Sequence, residues 1–141
     1  LMDSLPANSI STFGGNPLST AGALANLEYV IEHDLQTNAY KVGNHLRNRI
    51  DGLAERVDSI GEVRGKGLMI GIEMVEPGSN RADKHGAAEV MEQAKNRGLL
   101  VGKGGMYGNV LRIAPPLSLT EAEADEGYAI LEAAIEQADR I

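Results

Sequence analysis

The order of helical and extended patterns along this chain restricts its fold more than any other feature. Two helical patterns come first, followed by two extended runs, a third helix, two short extended runs and a final helix. Elements in this order can bury their apolar faces if the strands form a small sheet and the helices pack on it. We therefore predict an α/β (α+β) fold in which a mixed or antiparallel sheet of about four strands is covered by helices, mostly on one side.

End signals and apolar spacing define the helices. Asn16 followed by Pro17 is typical of an N-cap and the first helical residue. A second helix is predicted over 38–56, because its apolar residues fall on one face. Gly98 closes a third helix, and the fourth begins with a capping box between Thr120 and Glu123.

Short β-type runs lie between these helices. Extended runs at 60–64 and 68–75 flank Gly65-Lys66-Gly67, which predicts a hairpin. Two further strands are predicted at 99–101 and 110–113, and the helix before the third strand suggests a crossover connection. The predicted divisions of the chain are a loop or tail over 1–15, a helical arm over 16–57 and a small C-terminal α/β domain over 58–141.

Composition excludes several classes of partner and site. The formal net charge of −7 argues against nucleic acid, whose phosphates require Lys and Arg. The absence of cysteine excludes disulfides and thiolate metal ligands, and no histidine has metal-site spacing, so no metal is expected. No apolar run approaches the roughly 20 residues of a membrane span, and we expect a cytoplasmic protein.

Gly61 to Gly67 has the superficial form of a phosphate-binding P-loop. The motif requires four residues between its glycines and a Ser or Thr after the Lys, whereas here three residues intervene and Gly67 follows Lys66. The segment also lies between two predicted strands, with no helix N-terminus to receive a phosphate. A hairpin turn is the better interpretation.

Two other stretches have both a structural and a functional interpretation. Arg112 lies between Leu111 and Ile113, so its side chain points away from theirs. It is either an edge-strand arginine reaching solvent or a guanidinium that binds a carboxylate through two hydrogen bonds. Ser11 and Thr12 precede a helix start, which is consistent with ordinary capping or with a phosphate site.

Taken together and in order, four segments resemble the class III pyridoxal-phosphate-dependent aminotransferases, and most of all their alanine–glyoxylate branch. The segments are Ser11-Thr12-Phe13-Gly14-Gly15-Asn16-Pro17, Val63 to Glu73, Gly98 to Gly102, and Leu111-Arg112-Ile113-Ala114-Pro115-Pro116-Leu117. The resemblance covers nearly the whole chain. It implies the small C-terminal domain of a fold-type I enzyme that uses pyridoxal phosphate and is a homodimer.

The resemblance also implies residue roles. The position of Thr12, helped by Ser11, binds the cofactor phosphate of the neighbouring subunit, and the position of Arg112 binds the α-carboxylate of the substrate. The substrates would be an amino acid and a 2-oxo acid, and the large domain of the same protein would supply the remaining contacts. None of the five lysines of the chain matches the lysine that bonds to the cofactor. No catalytic residue is therefore assigned here, and we expect a fragment that is inactive alone.

A function of another class is also compatible with the sequence. A small sheet with an arginine at a strand end is also compatible with a standalone ferredoxin-like module that binds a small acid or has a regulatory role. An upstream reading frame with a cofactor-binding lysine would favour the transaminase, and a true start codon at the first residue would favour the module.

Overall fold

The computed structural model describes residues 10–12 and 14–139, which fall into two compact units divided after Asp34. Most of the predicted N-terminal loop, including Phe13, lies outside the described residues. The first unit contains helix α1 (Pro17–Glu32), which begins as predicted: the side chain of Asn16 accepts a hydrogen bond from the backbone N–H of Ser19. None of the residues of α1 is buried.

The second unit contains the sheet and the remaining helices. Along the chain they are α2 (Leu35–Ala54), β1 (Ile60–Lys66), β2 (Met69–Met74), α3 (Lys84–Asn96), β3 (Gly102–Gly104), β4 (Val110–Ile113) and α4 (Glu121–Ala138). This order confirms the predicted succession of elements and the α/β class. No helix in residues 10–12 and 14–139 combines the length and apolarity needed to cross a membrane.

The boundary between the two units falls earlier than the predicted end of the helical arm. The division after Asp34 groups α2 with the sheet, whereas the sequence-based division had joined α2 to α1. Burial explains the difference. Ile50 and Leu53 of α2 are fully buried and belong to the same core cluster as the strands, so α2 is part of the packed domain.

The sheet has four strands in the order β1-β2-β4-β3, and every hydrogen-bonded pair is antiparallel. The β1–β2 hairpin is formed as predicted. Because β4 is antiparallel to both of its neighbours, β2 and β3 run in the same direction with β4 between them. The connection from β2 to β3 through α3 is therefore a crossover, and β4 fills the position between these two strands.

The third strand lies later than the sequence indicated. We expected it at Leu99–Val101, but pairing with β4 begins at Gly102. The reason is that residue 99 still belongs to the end of α3: its N–H donates to the carbonyl of Ala94 at 2.9 Å, and Gly98 has a φ of +90°. This left-handed cap reverses the chain, and Leu100 is left exposed.

One face of the sheet carries the core, and α2, α3 and α4 all pack against it. Ile70, Ile72 and Met74 of β2 point into this core together with Leu111 of β4. Their neighbours in sequence point the other way because side chains alternate along a strand. We call this second side the open face, formed by Glu62 and Arg64 of β1, Gly71 and Glu73 of β2, Val110 and Arg112 of β4, and Gly102 and Gly104 of β3.

The hairpin turn packs directly against α2. A Cβ on Gly43 of α2 would overlap the backbone of Gly67, whose φ of +55° places it in the left-handed region. Ala39, Val42, Leu68 and Ala124 form a small apolar cluster beside this approach. The hairpin is formed as predicted, but its turn is Gly67-Leu68, because Gly65 and Lys66 still pair with β2 as the end of β1, and no helix begins there.

Candidate functional site

Arg112 lies on the open face of the sheet, in the strand that has neighbours on both sides. Its backbone pairs with Gly71 of β2 and with Gly102 of β3. Leu111 is fully buried on the opposite face, which confirms the predicted alternation. The edge-strand interpretation is wrong in one respect, because β4 is an inner strand, although the side chain of Arg112 is exposed.

The two arginines of the open face differ in their partners. Arg64 Nη1 donates to Glu62 Oε2 and to Glu73 Oε2, each at 2.6 Å, and the hydrogen bond with Glu73 is the main cause that raises the pKa of Arg64. Arg112 has no hydrogen bond or ion pair from its guanidinium to any residue in the described part of the chain. Its five donors are therefore available to an anion.

Glycines surround Arg112 in its row of the sheet. The row runs from Arg64 through Gly71 and Arg112 to Gly102, so the strands on both sides of Arg112 present no side chain there. A planar guanidinium that is free and accessible from the open face can bind a carboxylate through two parallel hydrogen bonds. Arg112 is therefore a candidate for binding a carboxylate at this position.

Asn109 anchors the start of β4 and hence the position of Arg112. Its side-chain amide donates to the carbonyl of Met74 at 2.8 Å, and its own carbonyl accepts from the N–H of Met74 at 2.8 Å. The side chain is 1% exposed. A buried amide with both backbone and side-chain bonds fixes the strand register. A single Asn after Gly108 gave no sign of this role in the sequence.

A cavity of about 250 Å³ lies between β4 and α4, on the helical side of the sheet. Leu46, Leu99, Ile113 and Leu131 line it, and Arg112 contributes to its edge. The lining contains no lysine, histidine or cysteine. Besides Arg112, its titratable lining residues are Glu123 and Tyr128, so the cavity offers space to an apolar group but no second cation.

Ser11 and Thr12 belong to the first unit, and both are exposed. Ser11 Oγ accepts from the N–H of Gly14 at 3.0 Å, and a Cβ on Gly14 would lie 2.8 Å from Ser11 Cβ, so this turn requires glycine. The first turn of α1 contains no acidic residue. Two hydroxyl donors ahead of a helix whose first turn has no carboxylate have the chemistry that a phosphate group requires.

A polar network joins α2 to α4, and sequence reasoning did not anticipate it. His45 Nε2 lies 2.7 Å from Asp125 Oδ1, and Arg49 also donates to this oxygen. The hydrogen bond with His45, followed by that with Arg49, lowers the pKa of Asp125. The guanidinium carbon of Arg49 lies 4.1 Å from the ring centre of Tyr128, which adds a cation–π contact.

This network holds two helices together. Tyr128 also lines the cavity beside β4, whereas His45, Arg49 and Asp125 do not. Asp125 of α4 is the interhelical partner of two side chains of α2. No group of three metal-ligating side chains occurs in residues 10–12 and 14–139. We therefore assign the network to stability.

The family model "Aminotransferase class-III" matches residues 1–135. The chain is 45% identical to alanine–glyoxylate aminotransferase 2 homolog 2 of Arabidopsis thaliana over 82% of its own length and 24% of the relative's. It is 40% identical to an alanine/serine racemase of Pyrococcus horikoshii, over 96% of the chain and 28% of the relative.

A solved structure gives the same result. Acetylornithine aminotransferase from Elizabethkingia anophelis superposes with a TM-score of 0.79 at 38% identity, over 96% of this chain and 33% of that one. The chain thus spans about a quarter to a third of the length of these relatives.

Proposed function

Since this chain belongs to the class III aminotransferases, we propose that it is the C-terminal part of an enzyme that exchanges an amino group between an amino acid and a 2-oxo acid. The resemblance found in its four motifs, including the alanine–glyoxylate branch, is confirmed by the family match and by three alanine–glyoxylate aminotransferase 2 relatives at 37–45% identity. The longer parent protein, its activity and a cytoplasmic location are parts of this proposal.

Arg112 binds the α-carboxylate of the substrate in this proposal. The observation that carries it is the contrast on the open face: Arg64 is neutralised by two carboxylates at 2.6 Å, whereas the guanidinium of Arg112 is exposed and has no partner within the described residues. A free arginine in a rigid inner strand loses little entropy when it binds a planar anion. The carboxylate is thereby oriented, and with it the amino group of the same molecule.

Ser11 and Thr12 donate hydrogen bonds to the phosphate of pyridoxal phosphate in a neighbouring subunit. Their support is the pair of exposed hydroxyls beside an acid-free helix start. The family uses this cofactor, which supplies the electron sink for amino-group exchange when bound. A homodimer follows from this assignment, since the two hydroxyls then complete the site of the partner, and the large domain of the same protein holds the rest of the cofactor.

The chain alone is inactive in this proposal. Its five lysines are Lys41, Lys66, Lys84, Lys95 and Lys103, and none matches the position that bonds to the cofactor in the family. The isolated chain mixed with pyridoxal phosphate and an amino donor should give no sustained transamination. Turnover, or cofactor bound covalently to one specific lysine, would contradict this part of the proposal.

The role of Arg112 is tested in the full-length protein. We expect Arg112→Ala to raise KM for α-amino acids by an amount worth about 2–5 kcal/mol, and Arg112→Lys to raise it less because the charge remains. Arg81→Ala removes an exposed arginine whose ion-pair partner is Glu76, in a loop, and serves as the control. An unchanged KM in Arg112→Ala across several amino acids would remove the proposed role.

An amino-acid racemase is the second candidate, because the racemase of Pyrococcus horikoshii is 40% identical over nearly all of the chain. Arg112 would bind the same carboxylate in either reaction. The two activities differ in their need for an acceptor. An aminotransferase consumes the amino acid only when a 2-oxo acid is present, whereas a racemase interconverts the enantiomers without one, as chiral chromatography would show.

A further inference from the structure

We propose that Gly102 is a positioning residue for Arg112: its missing side chain sets where the guanidinium lies and therefore how tightly the α-carboxylate is bound. This inference rests on the proposed role of Arg112 and adds a residue that the four motifs did not single out as a binding residue. Gly102 pairs with Arg112 directly across β3 and β4, so its side of the strand faces the stem of the arginine.

A side chain at Gly102 would make close contact with Arg112. A Cβ placed there would lie 3.3 Å from Arg112 Nε, 3.3 Å from its carbonyl oxygen and 3.6 Å from its Cβ. The first two contacts are closer than the ordinary van der Waals separation of about 3.5–4.0 Å, so the arginine would have to move by a few tenths of an ångström. The Nε atom belongs to the guanidinium itself, which is the group that binds the carboxylate.

Backbone conformation does not explain glycine at this position. Gly102 is absent from the glycines with positive φ, unlike Gly98 and Gly105 nearby. Any L-residue can therefore adopt its extended conformation. The remaining reason for glycine in this strand is the close approach of the neighbouring side chain.

Of the two glycines beside Arg112, only the one in β3 would bring a side chain into close contact with the arginine. On the β2 side, the nearest atoms to a Cβ on Gly71 belong to Val110 and Arg64, at 3.3 and 3.9 Å. A side chain at position 71 would thus first meet Val110, whereas one at position 102 would first meet Arg112. Gly102 is accordingly the glycine whose replacement acts on the binding group.

Gly104 provides a matched control within the same short strand. It lies two residues after Gly102 and therefore on the same face of β3. A Cβ on Gly104 would meet no atom within 4 Å, and its φ is not positive. Gly104→Ala thus makes the same chemical change in the same strand without touching Arg112.

The test measures the steady-state kinetics of the full-length protein with an α-amino acid donor. Because a shifted guanidinium weakens its charged hydrogen bonds to the carboxylate without abolishing them, we expect Gly102→Ala to raise KM by roughly three- to tenfold. We expect kcat to change less than about twofold, because the carboxylate is bound similarly in ground and transition states. Gly104→Ala should leave KM unchanged.

A double-mutant cycle separates this inference from the proposed function. In an Arg112→Ala background, Gly102→Ala should raise KM no further, because the displaced group is gone. An equal rise in both backgrounds would overturn the inference, and so would an unchanged KM in Gly102→Ala when Arg112→Ala alone raises KM. If Arg112→Ala itself leaves KM unchanged, the proposed role of Arg112 fails first, and the inference fails with it.

Melting temperatures of the same four proteins keep the inference testable if Gly102→Ala folds poorly. A loss of stability that Arg112→Ala relieves would support a clash with the arginine side chain. A loss of stability that persists in the double variant would show that the strand backbone, and not the arginine side chain, is the cause. That result would overturn the inference.

Discussion

The carbonyl carbon of Gly67, in the turn between β1 and β2, lies 2.2 Å from the point where a Cβ on Gly43 of α2 would stand. No rearrangement of a flexible side chain relieves this overlap, because both partners are backbone. We expect Gly43→Ala to destabilise the protein by about 2–4 kcal/mol, since the helix and the hairpin must separate.

The control for Gly43 is in the same helix. A Cβ on Gly52 would meet no atom within 4 Å, so Gly52→Ala should stabilise the protein by about 0.5–1 kcal/mol through helix propensity. Urea unfolding of both variants followed by circular dichroism measures the two changes. Equal changes in unfolding free energy for the two substitutions would refute the close approach of Gly43 to Gly67.

The capping box of α4 gives a second prediction. Thr120 Oγ1 accepts from the N–H of Glu123 at 3.3 Å, and the Glu123 carboxylate accepts from the Thr120 N–H at 2.9 Å, which lowers the pKa of Glu123. Thr120→Ala should cost about 1 kcal/mol of unfolding free energy. Ser118→Ala changes an exposed residue before the cap and should cost almost nothing, whereas equal losses would argue against the cap.

Acid should weaken the contact between α2 and α4. Hydrogen bonds from His45 and Arg49 lower the pKa of Asp125, and those from Arg56 and Tyr128 lower that of Glu132. A carboxyl with a lowered pKa in the folded state contributes stability above its unfolded pKa of about 4, and this stability is lost as the pH falls through the folded pKa.

Melting curves from pH 7 to about pH 3 test this contribution. Asp125→Asn should have a lower melting temperature than the parent at pH 7, and the difference should shrink toward the acid end. Glu126→Gln, at the adjacent exposed position of α4, should follow the parent at every pH. A constant difference for Asp125→Asn would show that its ionisation does not matter.

The proposed phosphate contact predicts a change in cofactor affinity. Thr12→Val in the full-length protein should raise the Kd for pyridoxal phosphate about tenfold, as expected for the loss of one hydrogen bond to a charged group. Thr20→Val removes a hydroxyl that bonds only to the backbone of α1 and should leave the Kd unchanged. Cofactor fluorescence during dialysis measures both, and a Kd unaffected by Thr12→Val would contradict the contact.

Sequence predicted those parts of the fold that depend on local signals. The start of α1 at Asn16-Pro17, the β1–β2 hairpin and the capping box of α4 each depend on residues within a few positions of one another. The strand expected at 99–101 was misplaced because apolar residues there complete the cap of α3 before pairing begins. A short apolar run is compatible with a strand and with the end of a helix.

Long-range relationships were beyond the reach of a single sequence. The pairing of His45 with Asp125 joins residues about 80 positions apart, and no local pattern marks it. Arg112 was identified from its motif, but its free guanidinium and the glycines beside it depend on the strand order. The proximity of Gly102 to Arg112 likewise depends on the pairing of β3 with β4.

The insertion of β4 between β2 and β3 has a kinetic consequence for folding. The β1–β2 hairpin closes a short loop, whereas β4 must pair with β2 across the whole of α3 and then accept β3 on its other side. Non-local pairings of this kind form late, because the entropy of closing a long loop must be overcome first. We expect Arg112 to be among the last side chains to acquire native neighbours, so that a refolding protein regains its helices before the carboxylate affinity proposed for Arg112.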